Sequence, residues 1–184
     1  MALWTLDKAH TTANFSARHM MVATVHGRFA APTGTINFDP ANPTAASVEA
    51  TIDATTLTTD LADRDGHLKS PDFLDVAKYP SITFKSTKVE PQGQDTAKVT
   101  GDLTIRGVTR PIVLDVEFLG TAKDPWGGHR AGFSATARIN REDFGLTWNV
   151  ALEAGGVLVG KDIKLTLEAE AILVPESEAA AAGN

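Results

Sequence analysis

Residues 99–118 read VTGDLTIRGVTRPIVLDVEF, and this stretch decides the fold. Apolar and polar residues alternate on either side of a short connection at residues 106–109. A period of two places successive side chains on opposite faces of a β-strand, and two such runs around a short turn are typical of a hairpin. The stretch therefore predicts two antiparallel strands, each with one apolar face, formed by Val99, Gly101, Leu103 and Ile105 and by Ile112, Leu114, Val116 and Phe118.

The same alternation recurs along most of the chain. It is clear in residues 131–139 and 162–173, and further strands are predicted at 13–17, 22–30, 34–38, 47–54 and 81–89. Turns that contain glycine and proline separate these runs. The chain has no linker and no internal repeat, which indicates a single domain over residues 1–174, and the low-complexity tail at 175–184 is expected to be disordered.

Composition excludes several classes of protein. The chain has 184 residues, a formal net charge of -6 and no cysteine. The acidic balance argues against nucleic acid as a partner, and the lack of cysteine excludes disulfides and cysteine-ligated metal centres. No apolar run reaches the roughly 20 residues that cross a bilayer. Residues 1–8 lack the apolar core of a signal peptide, so a cytoplasmic location is expected.

One segment breaks the alternation, at residues 64–80, RDGHLKSPDFLDVAKYP. Ser70 followed by Pro71 fits the N-cap and the first position of a helix, and Pro80 ends the segment before the next strand. The sequence therefore predicts a short helical insertion between two strands. Its apolar side chains are expected to cap one end of the fold, and these are Leu68, Phe73 and Leu74.

Many strands with little helix leave a sandwich or a closed barrel. A barrel of about eight strands is the size at which side chains either fill the interior or leave room for one ligand. Small residues at inward positions favour a cavity, and these are Ala13, Ala17, Ala50, Ala54, Ala135, Ala137 and Ala169. The alternative is that large residues opposite these alanines fill the space.

Six fragments in order carry a resemblance to a known family: WTLDKAHTTANFSARHM, VHGRFAAPTGTINFD, RDGHLKSPDFLDVAKYPSITFKST, VTGDLTIRGVTRPIVLDVEF, INREDFGL and VGKDIKLTLEAEAIL. With them the chain resembles the YceI-like family of lipocalin-like, polyisoprenoid-binding barrels. The resemblance implies an all-β fold, an eight-stranded antiparallel lipocalin-like β-barrel with an inserted short helical segment and an internal apolar tunnel. Family members are often periplasmic, and relatives suggest dimers, so a homodimer is left open. The usual serine after the first histidine is Thr11 in this chain.

The tunnel that the resemblance implies needs a dry lining, because an isoprenoid tail has no hydrogen-bonding groups. From the residues alone, an ordinary packed core is the other interpretation of the same pattern. Phe144 and Trp148 are expected either to cover the tunnel end or to plug a corner. The residues predicted to contact the ligand are Phe15, Ala17, His19, Phe38, Ile52, Phe84, Leu103, Ile105, Leu114, Phe133, Ala135, Trp148 and Leu165.

Basic side chains are the candidates for binding a polar head group, because guanidinium groups match phosphate oxygens. The candidates are Arg18, Arg138 and Arg141, with a solvated surface as the alternative role. The five histidines lack the spacing of zinc ligands, so no metal and no cofactor is expected.

The expected function is non-covalent binding and sequestration or transport of a long-chain isoprenoid or related amphiphilic lipid. Binding of a fatty acid or fatty amide in the same tunnel is the alternative. A further alternative is an enzyme for a small amphiphile that uses the region of Asp65 and His67, where a His–Asp pair could act as an acid–base couple. The acidic residues that crowd around His67 there are Asp63, Asp65, Asp72 and Asp75. No nucleophile or phosphate-binding motif accompanies these residues, so catalysis is not expected.

Overall fold

The structure, a computed structural model, describes residues 1–175. Within this range the chain forms ten β-segments and one α-helix, α1, at Ala62–Lys69. The β-segments are β1 (Ala2–Leu6), β2 (Thr12–His19), β3 (Ala23–Phe29), β4 (Thr33–Phe38), β5 (Ser47–Asp53), β6 (Ser81–Pro91), β7 (Thr96–Ile105), β8 (Val108–Lys123), β9 (His129–Asn140) and β10 (Val159–Leu173). Short 3₁₀ turns lie at Pro43–Ala45, Ala54–Thr56 and Arg141–Phe144. The tail predicted to be disordered lies, apart from Pro175, outside the described residues.

The ten β-segments make an eight-stranded barrel because two barrel strands are interrupted. β1 and β2 run in the same direction along β10, with a break at residues 7–11, and β3 and β4 continue one another across residues 30–32. The sheet order is β1-β4-β5-β6-β7-β8-β9-β10-β2-β3, and the pairing of β1 with β10 closes it. Since all these pairings are antiparallel, the predicted all-β barrel with a short helical insertion is confirmed.

The hairpin between β7 and β8 forms where the sequence predicts it. Ile105 pairs with Val108, which leaves Arg106 and Gly107 as a two-residue turn. Both residues have positive φ, 50° and 73°. Two-residue turns of this type match the right-handed twist of the strands that they join. The other predicted strands are found within a few residues of their expected bounds, whereas β1 is absent from the prediction.

The break between β1 and β2 is held against β10 by polar contacts. The backbone N–H of Asp7 donates to the carbonyl of Glu170 at 2.8 Å. The hydroxyl of Thr11 donates to the same carbonyl at 3.2 Å and accepts from the N–H of Glu170 at 3.3 Å. The interruption therefore leaves no gap in the hydrogen bonding of β10 at this point.

Residues 54–80, which we name the cap segment, contain α1 and a run of turns. The predicted helix start at Ser70 is wrong, because Ser70 ends α1. Its N–H and its hydroxyl both donate to the carbonyl of His67, at 3.1 and 2.7 Å. Proline is also common just after a helix, so Ser70 followed by Pro71 fits either end.

The connections divide between two ends of the barrel. The helical end carries the β2–β3 turn, the cap segment, the β7–β8 turn and residues 141–158. The hairpin end carries the β4–β5, β6–β7 and β8–β9 connections. Thr58 of the cap segment forms an isolated bridge with Arg28 of β3, so the segment also covers the outer edge of that strand. Over residues 1–175, no helix is long and apolar enough to cross a membrane.

Candidate functional site: an apolar cavity inside the barrel

An apolar cavity of about 670 Å³ runs through the barrel. This volume falls in the range of roughly 300–1,000 Å³ that is usual for small-molecule sites. β7 lines the cavity from Thr96 to Ile105, a path of roughly 30 Å at about 3.3 Å per residue. The cavity therefore extends from the hairpin end to the helical end.

Small side chains on the inner face leave much of this space open. Ala54 and Ala137 are buried among the side chains of the wall and do not themselves line the cavity. The remaining alanines that the sequence singles out all line the cavity, namely Ala13, Ala17, Ala50, Ala135 and Ala169. Large side chains opposite them do not fill the interior.

The residues predicted to contact a ligand all lie on the cavity wall. They are Phe15, Ala17, His19, Phe38, Ile52, Phe84, Leu103, Ile105, Leu114, Phe133, Ala135, Trp148 and Leu165. Their contact with a ligand stays a prediction. Phe144 is buried and packs behind the wall, whereas Trp148 lines the cavity.

Aromatic rings are concentrated toward the two ends of the cavity. Phe38, Phe118 and Phe133 pack together toward the hairpin end, with ring centres 5.0 to 5.5 Å apart. At the helical end Phe73 and Trp148 lie 5.4 Å apart. Phe29 and Phe118 also line the cavity but are missing from the predicted set. The alternation of β3 and β8 places both on the inner face, so the signal is present in the sequence.

Two glycines let aromatic rings lie flat against the wall. Gly27 on β3 pairs with Phe15 on β2, and a Cβ at Gly27 would collide with the Phe15 ring. A Cβ at Gly101 on β7 would likewise collide with the ring of Phe84 on β6, which lies diagonally across from it. A ring that covers a glycine on the neighbouring strand stabilises the sheet. Here it also keeps these rings from projecting further into the cavity.

The ionisable side chains on the wall are distributed unevenly. Two carboxylates line the cavity, Asp95 in the β6–β7 connection and Glu168 on β10. The helical end is lined by basic and imidazole side chains, namely Arg18, His19, Arg64, His67 and Arg141. A negative or hydrogen-bond-accepting head group therefore meets a more favourable potential at the helical end.

Arg141 is the charged side chain with the lowest exposure among the described residues, at 3%. Its Nε donates to the carbonyl of Gly160 at 2.9 Å, Nη1 to Leu146 at 2.5 Å and Nη2 to Val159 at 3.2 Å. Burial lowers the pKa of this guanidinium below its ordinary value. Since three of its five N–H groups hold the backbone of residues 146–160, Arg141 stabilises the helical end. Its contact with a head group stays a prediction.

The other predicted head-group residues differ in position. Arg18 is exposed at the helical end, lines the cavity and donates to the hydroxyl of Thr24 at 3.3 Å. Arg138 does not line the cavity, because its neighbours Ala137 and Ile139 occupy the inner face of β9. The prediction that Arg138 lies at the mouth of the cavity is therefore wrong, and Arg138 lies on the outer surface of the barrel.

Arg64 is a cavity-lining cation absent from the predicted set. It lies on α1 and donates through Nε to the hydroxyl of Thr59 at 2.7 Å and through Nη2 to the Thr59 carbonyl at 2.9 Å. Because its position depends on how the cap segment folds over the barrel, strand alternation could not indicate it.

In the region that the enzyme alternative uses, a His–Asp pair does form, but it joins His67 to Asp72 and not to Asp65. The Asp65 carboxylate accepts from the hydroxyl of Thr58 at 2.9 Å and from the N–H and hydroxyl of Thr59 at 2.7 and 2.5 Å. The hydrogen bond from the Thr59 hydroxyl is the main cause that lowers the pKa of Asp65. His67 instead pairs through Nε2 with Asp72 at 2.8 Å, and its ring packs edge-on against Trp148.

A second ionic cluster lies away from the cavity, at the break between β1 and β2. Nη1 of Arg130 donates to Asp7 and to Glu170, both at 2.6 Å, and Nε donates to Asp124 at 3.0 Å. Ligand atoms of Asp7, His10 and Glu170 lie within 4.8 Å of one another. The Arg130 guanidinium already balances these carboxylates, so it would compete with a metal ion there.

The comparison with known proteins identifies the family. A model of the YceI-like domain matches residues 4–171. The chain belongs to the YceI-like family. It is similar to a UPF0312 protein of Pseudomonas savastanoi pv. phaseolicola, with 46% identity over 145 residues that cover 78% of this chain and 76% of that one.

Solved structures support the fold of this YceI-like chain. The YCEI protein of Campylobacter jejuni is 36% identical, with a TM-score of 0.71 and coverage of 86% of this chain and 90% of that one. A polyisoprenoid binding domain from Saccharophagus degradans shares the fold at 17% identity, with a TM-score of 0.68, covering 95% of this chain and 100% of that one.

Proposed function

We propose that this protein binds a long-chain isoprenoid or a related amphiphilic lipid, non-covalently, inside the barrel. The observation that carries the proposal is the continuous apolar cavity of about 670 Å³ from one end of the barrel to the other. Each methylene group that leaves water for such a lining contributes about 0.8 kcal/mol. A long hydrocarbon tail therefore gains affinity without any polar contact.

The polar head group is proposed to lie at the helical end. Arg18 and Arg64 line the cavity there, and Arg141 contributes a third guanidinium. At the hairpin end Asp95 would repel an anionic head. The hydrocarbon tail would then extend past the phenylalanines toward the hairpin end.

The relatives add support of two kinds. The Saccharophagus degradans domain, described as polyisoprenoid binding, has the same barrel. The Campylobacter jejuni YCEI protein has that barrel at a much higher sequence identity, 36%. These likenesses favour a ligand-binding role over catalysis.

A fatty acid or fatty amide is the second candidate ligand. The observation that favours it is the group of guanidinium donors at the helical end, since a carboxylate or an amide carbonyl accepts hydrogen bonds from them. Sequestration and transport both use the same cavity. The homodimer stays a prediction.

We expect a lipid to copurify with the protein and to be released into organic solvent. Mass spectrometry of the extract should reveal a polyprenyl species, and a fatty acid or fatty amide would support the second candidate instead. After delipidation, an isoprenoid quinone should quench the fluorescence of Trp148, which lines the cavity. Trp148→Phe should remove this signal, while Trp126→Phe should keep it because Trp126 is 86% exposed in the β8–β9 connection.

A matched pair of variants tests whether the cavity is the binding site. Ala135→Trp places an indole in the cavity, whereas Thr136→Trp adds the same bulk at a neighbouring position that does not line it. We expect Ala135→Trp to weaken lipid binding by about tenfold or more, since it removes space for several methylene groups. Thr136→Trp should bind as the wild type does. Unchanged binding by a folded Ala135→Trp protein would refute the proposal.

A further inference from the structure

The turn between β2 and β3 carries three consecutive apolar side chains on the surface. Met20, Met21 and Val22 are 47%, 65% and 83% exposed. The N–H of Met20 donates to the carbonyl of Leu158 at 2.8 Å, and the N–H of Leu158 donates to the carbonyl of Val150 at 2.9 Å. Val150 is itself exposed, so these backbone bonds place it beside the turn. We name Met20, Met21, Val22 and Val150 the apolar tip.

The backbone of this turn does not favour methionine. Met20 and Met21 have φ values of 49° and 62°, in the left-handed region. The N–H of Val22 donates to the carbonyl of His19 at 3.2 Å, which closes a β-turn with the two methionines at its centre. A β-turn with positive φ at both central residues favours asparagine and glycine, because a larger side chain is strained there. Both methionines are largely exposed to water, and the thioether of Met21 lies against Gly156 in the loop before β10. Such strain at an exposed apolar site indicates a functional reason for the side chains.

The apolar tip lies beside the helical end of the cavity. His19, directly before the turn, lines the cavity, and so do Leu158 and Val159 opposite it. The cavity lining also includes Arg18, which is exposed to solvent. The cavity wall therefore reaches the molecular surface at the foot of the apolar tip.

Basic side chains accompany the tip on the outer face of β2, β3, β9 and β10. Lys164 on β10 pairs in register with Arg138 on β9. Like charges on facing strands repel, and a nearby carboxylate would relieve this repulsion. Within residues 1–175, neither Arg138 nor Lys164 has a carboxylate at ion-pair distance. We name the basic strip after its four residues, Arg18, His26, Arg138 and Lys164.

Carboxylates also lie near this region, and the cap segment at the same end carries Asp60, Asp63, Asp65, Asp72 and Asp75. Asp162 lies on the outer face of β10, Glu153 lies in the loop before it, and Glu142 is paired with Lys161 at 3.0 Å. The hairpin end also presents an exposed aromatic residue, Trp126, but it stands beside Asp124. Since Arg138 and Lys164 have no ion-pair partner among the described residues, the side with the basic strip suits an anionic partner better than the surface around Trp126 does.

We propose that the apolar tip inserts into the surface of an anionic phospholipid bilayer, with the basic strip against the lipid head groups. Partly inserted apolar side chains supply membrane affinity, and basic residues nearby add attraction to anionic lipid. This orientation turns the helical end of the cavity toward the bilayer, where a lipid would enter or leave. The docking step is independent of the proposed function, whereas the lipid exchange rests on it.

Vesicle cosedimentation with the delipidated full chain tests the docking step. We expect binding to vesicles of equimolar phosphatidylcholine and phosphatidylglycerol, weaker binding to pure phosphatidylcholine, and a decline as salt is added. Met20→Asn/Met21→Gly should weaken binding to the anionic vesicles by about tenfold or more, because it removes both inserted side chains. Arg138→Gln/Lys164→Gln should also weaken it by about tenfold.

Three controls separate docking from folding and from lipid binding. Asparagine and glycine suit the turn, so Met20→Asn/Met21→Gly should melt at the wild-type temperature or above and keep its cavity ligand. Val22→Ser leaves the turn backbone unchanged and should also weaken docking. Trp126→Ser, at the opposite end, should bind the anionic vesicles as the wild type does. The proposal would be overturned if the wild-type protein does not bind the anionic vesicles, or if Met20→Asn/Met21→Gly binds them as well as the wild type does. Either result would count against docking even if the cavity binds lipid.

Discussion

At the residue scale, a local hydrogen bond shifts the pKa values of Asp7 and His10, and charges from distant strands add to the shift. The two are only three residues apart, and Nδ1 of His10 lies 2.9 Å from the Asp7 carboxylate. Arg130 on β9 and Glu170 on β10 complete the cluster. The hydrogen bond from His10 is the main cause that lowers the pKa of Asp7 to about 2. The same contact, together with the charge of Glu170, raises the pKa of His10.

We expect His10 to titrate above its ordinary pKa of 6.5. A raised pKa in the folded protein stabilises it below the ordinary pKa, and this contribution is lost as the pH rises through the raised value. For Asp7 the contribution is present above its ordinary pKa of 3.8 and is lost as the pH falls toward about 2. NMR titration of the His10 ring protons measures the shift. In Asp7→Asn the His10 pKa should fall back toward 6.5, and an unchanged value would contradict this explanation.

At the element scale, the cap segment closes the helical end by side-chain contacts rather than by strand pairing. Phe73 and Leu74 are buried in the core cluster there, as their predicted capping role requires. Arg106 in the β7–β8 turn donates to the carbonyl of Phe73 at 3.0 Å, which fixes the segment to the barrel. The segment is thus held by a few polar contacts and by its buried apolar side chains.

Asp65→Ala should loosen the cap segment while the barrel stays folded. The Asp65 carboxylate accepts three hydrogen bonds from Thr58 and Thr59, and Thr58 also bridges β3 through Arg28. Removing it leaves the N–H and hydroxyl of the buried Thr59 without their acceptor, which destabilises the segment. Hydrogen exchange of the amides at 57–60 should accelerate. Asp63→Ala, at an exposed position of the same helix, should leave the exchange of these amides unchanged. An equal effect of the two variants would argue against the role of the Asp65 hydrogen bonds in holding the segment.

At the scale of the whole molecule, barrel closure and an open interior have opposite effects on stability. Closure pairs the edges of β1 and β10, so the barrel wall has no free edge between them. The cavity, in contrast, leaves apolar side chains on the wall without packing partners. A bound lipid would supply those partners.

Ligand binding should therefore raise the melting temperature of the delipidated protein. A ligand that binds only the folded state, at about 100 times its dissociation constant, stabilises it by about 2.7 kcal/mol. Thermal unfolding followed by circular dichroism, with and without an isoprenoid quinone, measures the change. Thr136→Trp should show the same rise as the wild type, and Ala135→Trp should show little. A rise of equal size in Ala135→Trp would place the ligand outside the cavity.

The limits of sequence-based prediction are visible in particular residues. Alternation predicts the inner-facing positions of β7, β8, β9 and β10 well, and it would also have placed Arg138 outside, between Ala137 and Ile139. The capping pattern fails at Ser70, because a serine before a proline suits either end of a helix. Alternation also misses β1, whose five residues give a short alternating run.

The sequence by itself determined the strands, the β7–β8 hairpin and which side chains line the inner wall, because a period of two is a local property of the chain. Only the tertiary structure decided which parts meet at each end. Arg64 and Arg141 meet at one end of the cavity. An ion-pair cluster joins Asp7, which follows β1, to Arg130 on β9 and Glu170 on β10. These arrangements depend on how each strand is shifted along its neighbour, all the way around the closed barrel. That register is set by contacts between residues far apart in sequence.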